Sequence, residues 1–553
     1  MMTNPMLRLL SIFPLLLLLV SPNESQAQSS SRSVRSSAIS SAPIDSASVL
    51  NNLSSDLTSL LALRKEVKSS SVGVKVVSLR DGKVLYELNA SKALTPASTT
   101  KILTTYSALL LFGSDYDIPT VLYTDAPPVN GVVKGNLYIK GHGDPLFSIG
   151  DVDNLIEQLK QRGIMRIEGD IIGDGTYFDD IYDWKDYSGD PDDVVDLPPV
   201  AGLGIENNMV TVVVSSPRKA GQLCNVQTFP ASSGFVIVNS ASSYTPKRSR
   251  RKSRRRKGAL ERLYREQHLP HAQTGRFGDQ EVLLGTNKLA GSGISIELTT
   301  DEDGKQTVHV SGTLAVNKTV SKRYEIKNPP IVVAGMFYDR LRTHGVEITG
   351  TIRAAATPGS AVSLTEFQRP LIDVLTPVMK SSHNHYAEHV FKMIGAAFGS
   401  NDGVTTASQA QMVINQCMEA ASAPFDKCLV NDGSGLSRRN LISADALVAT
   451  LIAAYNNRPL WKTLYQSMSI AGKDGTLRKR MKETHAAGNA HGKTGTLRNV
   501  SALSGYVTTA DGDMLAFAIL RNGYNVSTYK SVENKIVQHL ANFSWKGKNA
   551  AKQ

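Results

Sequence analysis

Two strand-rich segments lie near opposite ends of this chain, and almost everything else lies between them. Residues 72–91, VGVKVVSLRDGKVLYELNAS, read as two apolar strands joined at Asp81-Gly82, a dipeptide suited to the positive backbone angles of a tight hairpin. Residues 500–521, VSALSGYVTTADGDMLAFAILR, read as two more around Ala510-Asp511-Gly512, followed by a C-terminal helix in STYKSVENKIVQHLANF. Helical patterns run through 374–398 and 409–420, whereas 116–357 is a succession of short β-rich segments with Gly and Asp turns. Strands at both ends with helices between predict one α/β domain assembled from both termini and interrupted by a large β-rich insert.

A chain of 553 residues is too long for a single core and implies two to four domains. Its 41% hydrophobic and 20% charged residues exclude collagen-like, wholly disordered and polytopic membrane classes. Arg8 precedes a short apolar run, LLSIFPLLLLLV, which ends before a small-x-small site at Ser25-Gln26-Ala27. That pattern is a secretory signal peptide cleaved after Ala27, because the run is well short of the roughly 20 residues needed to span a bilayer. The expected order is therefore a signal peptide at 1–27 and a Ser/Ala-rich linker at 28–48. The two parts of the α/β domain follow at 49–115, beginning with a helix over 49–68, and at 358–546. The insert at 116–357, of one or two domains, separates them, and 547–553 form a tail. The mature protein is expected to be exported, periplasmic, and soluble or peripherally associated with the envelope.

The net charge of +12 is concentrated in one tract. KRSRRKSRRRK, 247–257, holds nine basic residues and no acid, so the rest of the chain carries only three of the twelve net positive charges. A domain-wide basic surface for nucleic acid is unsupported, and nucleic acid is not expected as a partner. The tract reads as a surface loop of the insert or as an electrostatic tether to an anionic envelope polymer or lipid. Three cysteines, Cys224, Cys417 and Cys428, are too few for a disulfide scaffold and lack zinc-site spacing, although Cys417 and Cys428 are close enough in sequence to pair. His383 and His385 have no third ligand, and the acidic stretch 179–196 has no calcium-loop spacing, so that stretch is expected to be a solvated loop. No metal and no cofactor are expected.

Ser98-Thr99-Thr100-Lys101 is an S-x-x-K at the start of an apolar helix. Residues i and i+3 share a helical face, so a neutral Lys101 can take the Ser98 hydroxyl proton, provided that burial or a neighbouring cation depresses its pKa. The motif alone is cheap, since Ser249 and Lys252 form another inside the basic tract. Order supplies the specificity: Ser382-His383-Asn384 follows the insert, and Lys493-Thr494-Gly495 lies in HGKTGTL just before the terminal hairpin. A second Ser and a second Lys can pass the proton to a leaving amine, and Lys493 can neutralise a substrate carboxylate. S-x-x-K, S-x-N and K-T-G are together the signature set of serine β-lactamases and penicillin-binding proteins.

With Ser382 placed 284 residues after Ser98, the chain resembles the class C low-molecular-mass penicillin-binding proteins, a D-alanyl-D-alanine carboxypeptidase/endopeptidase family whose members carry a large insert between the first two motifs. PASTTK (96–101), GHGDP (141–145), GDIIGDGTYFD (169–179), SHNHYAE (382–388), DGSGLSRRN (432–440) and HGKTGTL also match. His383 departs from the usual Asp at a variable position. The resemblance implies a penicillin-binding, transpeptidase-like α/β domain with an antiparallel sheet and helices on both sides. It implies Ser98 as nucleophile, Lys101 as general base, and Ser382 with Lys493 as proton relay. Asn384, Thr494, Gly495 and Thr496 would bind substrate, with the backbone N–H groups of Ser98 and Thr496 forming the oxyanion hole. Peptidoglycan peptide stems are the expected substrate and β-lactams the expected covalent inhibitors. A β-lactamase or esterase is one alternative, and an envelope polymer-binding protein with a weak or vestigial peptidase site is another.

Overall fold

A computed structural model describes residues 46–62, 71–190, 197–246, 292–301, 304–400 and 403–546. The expected signal peptide, nearly all of the linker, the basic tract and the tail lie outside the described residues.

One antiparallel sheet takes strands from both ends of the chain, in the order Ser469–Ile470, His491–Leu497, Val500–Thr508, Met514–Asn522, Ser71–Ser78, Val84–Leu88. The alternation in LAFAIL explains its double-sided burial. Leu515, Phe517 and Ile519 enter one apolar core with the helices Ser46–Ala62 and Val526–Ala541. Ala516, Ala518 and Leu520 enter the opposite core, built on the helices Lys101–Phe112, Leu371–Lys380, Asn384–Phe398, Thr406–Ala420 and Ala444–Asn456. A period of two thus sends successive side chains of one strand into two different cores. Small alanines on the second face let the helices approach closely. The hairpin turns fall where the dipeptides predict, with Gly82 at φ 71° and Gly512 at φ 88°.

Residues 117–370 build a separate core from several smaller sheets. The largest is a five-stranded sheet ordered Ile352–Ala354, Ile171–Asp174, Leu137–Gly141, Asp117–Thr124, Val362–Pro370. It is mixed, since Ile171–Asp174 is parallel to both its neighbours. The middle region also contains the helices Ile149–Gln161 and Pro329–Thr343, which the β-rich texture hides. The first buries Val152, Leu155, Ile156 and Leu159, an i, i+3, i+4, i+7 stripe, and the Asp151 carboxylate accepts from the Ser148 N–H at 2.9 Å at its start. The second begins on two prolines, whose missing N–H groups cost nothing in a first turn. Ile118, Phe178 and Val200 from this region enter the helical core of the terminal domain, joining the two bodies beside the S-x-N helix.

Candidate active site

Ser98 lies in a 3₁₀ turn, Ala97–Thr100, that runs directly into the helix Lys101–Phe112. The Thr99 and Thr100 hydroxyls donate back to the carbonyls of Pro96 (2.8 Å) and Ala97 (2.9 Å), tightening the turn. The next nine residues, from Lys101 on, are buried, so this lysine opens a core helix and its amine has no access to bulk water. Burial depresses its pKa to about 7, against the opposing attraction of Asp432 and Glu388. Lys101 Nζ meets Ser98 Oγ at 3.0 Å, Asn384 Oδ1 at 2.8 Å and the carbonyl of Ser434. A neutral amine has two N–H groups and one lone pair, and here two carbonyl oxygens take the N–H groups. The lone pair is left facing the Ser98 hydroxyl, which is the arrangement of an acceptor for its proton.

Ser382 and Asn384 owe their placement to a break in the helical pattern. The expected single stretch 374–398 is two helices, Leu371–Lys380 and Asn384–Phe398, with Ser382 between them at φ 61°. His383 caps the second helix, its Nδ1 accepting from the Tyr386 N–H at 3.4 Å, and its ring stacks on Tyr386 at 3.6 Å. Burial is the main reason its pKa falls to about 3, so the ring stays neutral. Asn384 therefore starts a helix with its carbonyl on Lys101, and Ser382 Oγ turns to Lys493 Nζ at 2.8 Å. Lys493 is also fully buried, and burial together with the charge of Lys101 holds its pKa well below the usual lysine value. Two depressed lysines thus flank two serines.

Lys493, Thr494, Gly495 and Thr496 lie on the strand His491–Leu497, and Lys493 Nζ donates to the Thr494 carbonyl at 2.8 Å. The neighbouring strand Ser469–Ile470 pairs only with His491 and Gly492, so the edge from Lys493 onward is not covered by it. Gly495 brings that edge against the nucleophile turn, because a Cβ there would lie 2.7 Å from the Pro96 carbonyl oxygen. The Thr494 hydroxyl donates to Thr476 Oγ1 at 2.8 Å, and Thr496 is exposed. The eight sequence-predicted site residues thus lie on three elements that meet, the nucleophile turn, the start of the S-x-N helix and the K-T-G strand.

Sequence reasoning missed Thr476, Glu388 and the way the loop 431–440 is held. Asp432 accepts from the Gly435 N–H (2.7 Å), the Ser437 N–H (2.8 Å), Asn440 Nδ2 (2.8 Å) and Trp184 Nε1 (3.0 Å). Asp190 accepts from Ser437 Oγ at 2.9 Å and the Arg438 N–H at 2.6 Å. The described part of the acidic stretch 179–196 is therefore not a solvated loop: Trp184 and Asp190 are buried, and Asp179 holds Lys392 at 2.8 Å. Asp179 and Asp190 accept from donors of the peptidase domain and Trp184 donates to Asp432, which is why these side chains tolerate burial. The motif DGSGLSRRN was the available signal, but nothing in it names its distant partners.

His385 and His389, one turn apart, meet Nε2 to Nε2 at 3.2 Å. His385 Nε2 also contacts the Pro199 carbonyl at 3.0 Å, and His389 Nδ1 the Gly143 carbonyl at 3.0 Å, so both rings serve as neutral links to the middle region. Cys417 and Cys428 are unbonded, as is Cys224.

A family model for the D-Ala-D-Ala carboxypeptidase 3 (S13) family matches residues 53–276 and 285–543. A D-alanyl-D-alanine carboxypeptidase of Actinomadura sp. (strain R39) is 28% identical, covering 85% of this chain and 81% of its own. The D-alanyl-D-alanine carboxypeptidase DacB of Haemophilus influenzae is 24% identical over 86% and 89%. Among solved structures, penicillin-binding protein 4 from Haemophilus influenzae superposes with a TM-score of 0.61 at 23% identity, covering 89% of this chain and 100% of that one. The same protein complexed with a β-lactam gives 0.60. With the family model spanning nearly all of the described residues, this chain belongs to the D-Ala-D-Ala carboxypeptidase 3 (S13) family of peptidases.

Proposed function

We propose that Ser98 is the nucleophile of a serine DD-peptidase acting on the D-Ala-D-Ala ends of peptidoglycan stems, with D-Ala-containing cross-links as a second substrate class. The observation that carries this reading is the Lys101 amine, buried, depressed to about 7 and held by two carbonyl acceptors with its lone pair toward Ser98 Oγ. Ser98 gives its proton to Lys101 as Oγ bonds the penultimate D-Ala carbonyl carbon. The negative charge that develops on the carbonyl oxygen is held by the N–H groups of Ser98 and Thr496. Ser382, hydrogen-bonded to Lys493, passes its hydroxyl proton to the peptide nitrogen and takes in its place the proton that Lys101 received from Ser98; the C–N bond breaks, and the terminal D-Ala leaves as the amine. Thr494, Gly495 and Thr496 line the strand edge against which the substrate backbone and its carboxylate rest. Water then cleaves the Ser98 ester, restoring the enzyme.

β-Lactams, which carry the same acylating carbonyl, are inhibitors in this reading. Export by the signal peptide 1–27 places the enzyme in the periplasm with its substrate, and no helix among the described residues is long and apolar enough to cross a membrane. The tract 247–257 serves as a tether to anionic envelope polymer or lipid, a reading that rests on its charge alone.

Intact-mass spectrometry after incubation with benzylpenicillin, with Ser98→Ala in parallel, tests the assignment. A single adduct on the wild type that is missing from S98A is the expected result. An unmodified wild type beside intact drug sinks the peptidase reading and favours an envelope-binding protein with a vestigial site.

A further inference from the structure

Glu388 is buried on the S-x-N helix one turn beyond Asn384, and it touches neither serine. Its carboxylate takes the Ser434 N–H on Oε1 at 2.7 Å, and on Oε2 the Gly433 N–H at 3.4 Å and the Tyr187 hydroxyl at 3.0 Å. The carbonyl of that same Ser434 accepts from Lys101 Nζ. One residue therefore has its N–H anchored by Glu388 and its C=O anchoring the amine. The glycines around it make the anchoring necessary. Gly433 and Gly435 supply no side chains here, and Gly435 adopts φ 78°; the flanking restraints are the Thr104 hydroxyl on the Gly433 carbonyl at 2.8 Å, Asp432 on the Gly435 N–H at 2.7 Å and the Ser434 hydroxyl on Asp432 at 3.5 Å, whereas the Ser434 N–H itself is held by Glu388. A Cβ at Gly435 would lie 2.0 Å from the Ala97 carbonyl oxygen, so the loop must also pass hard against the nucleophile turn.

We propose that Glu388 is a positioning residue for acylation: it fixes the Ser434 peptide so that the Ser434 carbonyl aims the Lys101 lone pair at Ser98. The inference rests on the peptidase reading above and adds to it the means by which the base is oriented. If the Ser434 peptide drifts, one N–H of Lys101 loses its acceptor and the amine rotates. The lone pair then leaves the Ser98 hydroxyl, and proton transfer slows although every motif residue is present. Tyr187 extends the chain of contacts into the middle region, so the insert participates in holding the base.

The charged and titratable groups around Glu388 are Asp432 on the glycine-rich loop, Tyr187 on the short helix Trp184–Ser188, Lys392 one turn along its own helix, and Lys101 on the nucleophile helix. Lys493 and His383 lie beyond Lys101 and are coupled to it. Burial and Asp432 raise the Glu388 pKa to about 8. Around the Lys101 pKa of about 7 Glu388 is therefore largely protonated, and what it supplies there is hydrogen bonding to the Ser434 peptide, with little charge for Lys101 to feel.

The experiment is the pH profile of benzylpenicillin acylation, resolved into dissociation constant and acylation rate, for wild type, Glu388→Gln and Tyr187→Phe. E388Q is expected to acylate about ten to a hundred times more slowly at an unchanged dissociation constant, with its acidic limb close to that of the wild type. Y187F, which removes one hydrogen bond and no charge, is expected to acylate several-fold more slowly at an unchanged dissociation constant. A folded E388Q that acylates at the wild-type rate overturns the proposal, and so does one whose slower acylation comes with a matching loss of affinity, because that would be general damage to the site. Unchanged acylation in Y187F overturns it even if E388Q does not accumulate. Failure of the wild type to form any adduct is a different result, and it sinks the peptidase reading instead.

Discussion

Gly495 stands where its own Cβ would collide with the carbonyl of Pro96, two residues before the candidate nucleophile. The contact joins the K-T-G strand to the S-x-x-K turn across almost 400 residues of chain, and it sets the distance between that strand edge and Ser98. Gly495→Ala would place a methyl 2.7 Å from the Pro96 oxygen and 3.1 Å from Ala97 Cβ, so turn and strand must separate. A stability loss of about 1–3 kcal/mol is expected from the overpacking, with penicillin acylation falling roughly 100-fold. Stopped-flow acylation and urea denaturation read the two effects, and a G495A enzyme acylating at the wild-type rate contradicts the assigned geometry.

Lys101 makes two pH predictions of definite sign. Its pKa is about 7 in the fold against an ordinary 10.5, so acylation should drop about tenfold per pH unit below about 7. Between about 7 and 10.5 the unfolded chain binds a proton at this lysine that the folded chain does not. Folding stability from this group therefore rises with pH through that window, by up to about 1.4 kcal/mol per unit. Lys101→Met should flatten the slope and abolish acylation. An equal slope in wild type and K101M would show that Lys101 is charged in the fold.

Asp432 accepts from five donors, the fifth being the Ser434 hydroxyl at 3.5 Å, which makes the charge difficult to replace. In Asp432→Asn an amide N–H₂ must point at some of those donors. A loss of about 2–4 kcal/mol is expected, visible as a lower Tm. Because Trp184 donates to this carboxylate, its fluorescence should change in the same variant while the protein is still folded. Wild-type stability in D432N would mean that the loop is held by other means.

The neutral pair His385 and His389 should report on acid. Burial lowers the pKa of His385 to about 4 and holds that of His389 well below the ordinary 6.5. The unfolded chain takes up protons here as pH falls from 6.5 toward 4, whereas the fold does not. Stability should therefore decline through that window, by up to about 1.4 kcal/mol per pH unit for each ring. Urea denaturation at pH 7, 6 and 5 measures the decline, and the double variant H385Q/H389Q should reduce it. A wild-type stability that is flat over that range rules out the buried neutral pair.

How far the fold could be read from the residues differs from element to element. LAFAIL already carries the period of two that sends one strand into two cores, and Asp81-Gly82 and Ala510-Asp511-Gly512 already carry their turns. Such patterns are legible because they are local. The helices Ile149–Gln161 and Pro329–Thr343 have equally local signals, in a Ser-x-x-Asp start and a Pro-Pro start, but the surrounding Gly and Asp turns obscured them. The break at Ser382 was not legible, since a serine at φ 61° carries no mark in its neighbours and is held there by the site it serves.

The sequence by itself determined which side chains are available for chemistry: Ser98, Lys101, Ser382, Asn384, Lys493 and Thr494 are named by motif order alone. Only the tertiary structure decided the state of the Lys101 amine, because its pKa depends on burial and its orientation on a backbone carbonyl at Ser434. Backbone groups are the same at every position, so no residue type announces them. The partners of that loop, Glu388, Trp184 and Asp190, lie some 45 to 250 residues away in sequence and meet it only in the tertiary structure. Periodicity and spacing act over a few residues, whereas desolvation and long-range hydrogen bonding are properties of the assembled fold.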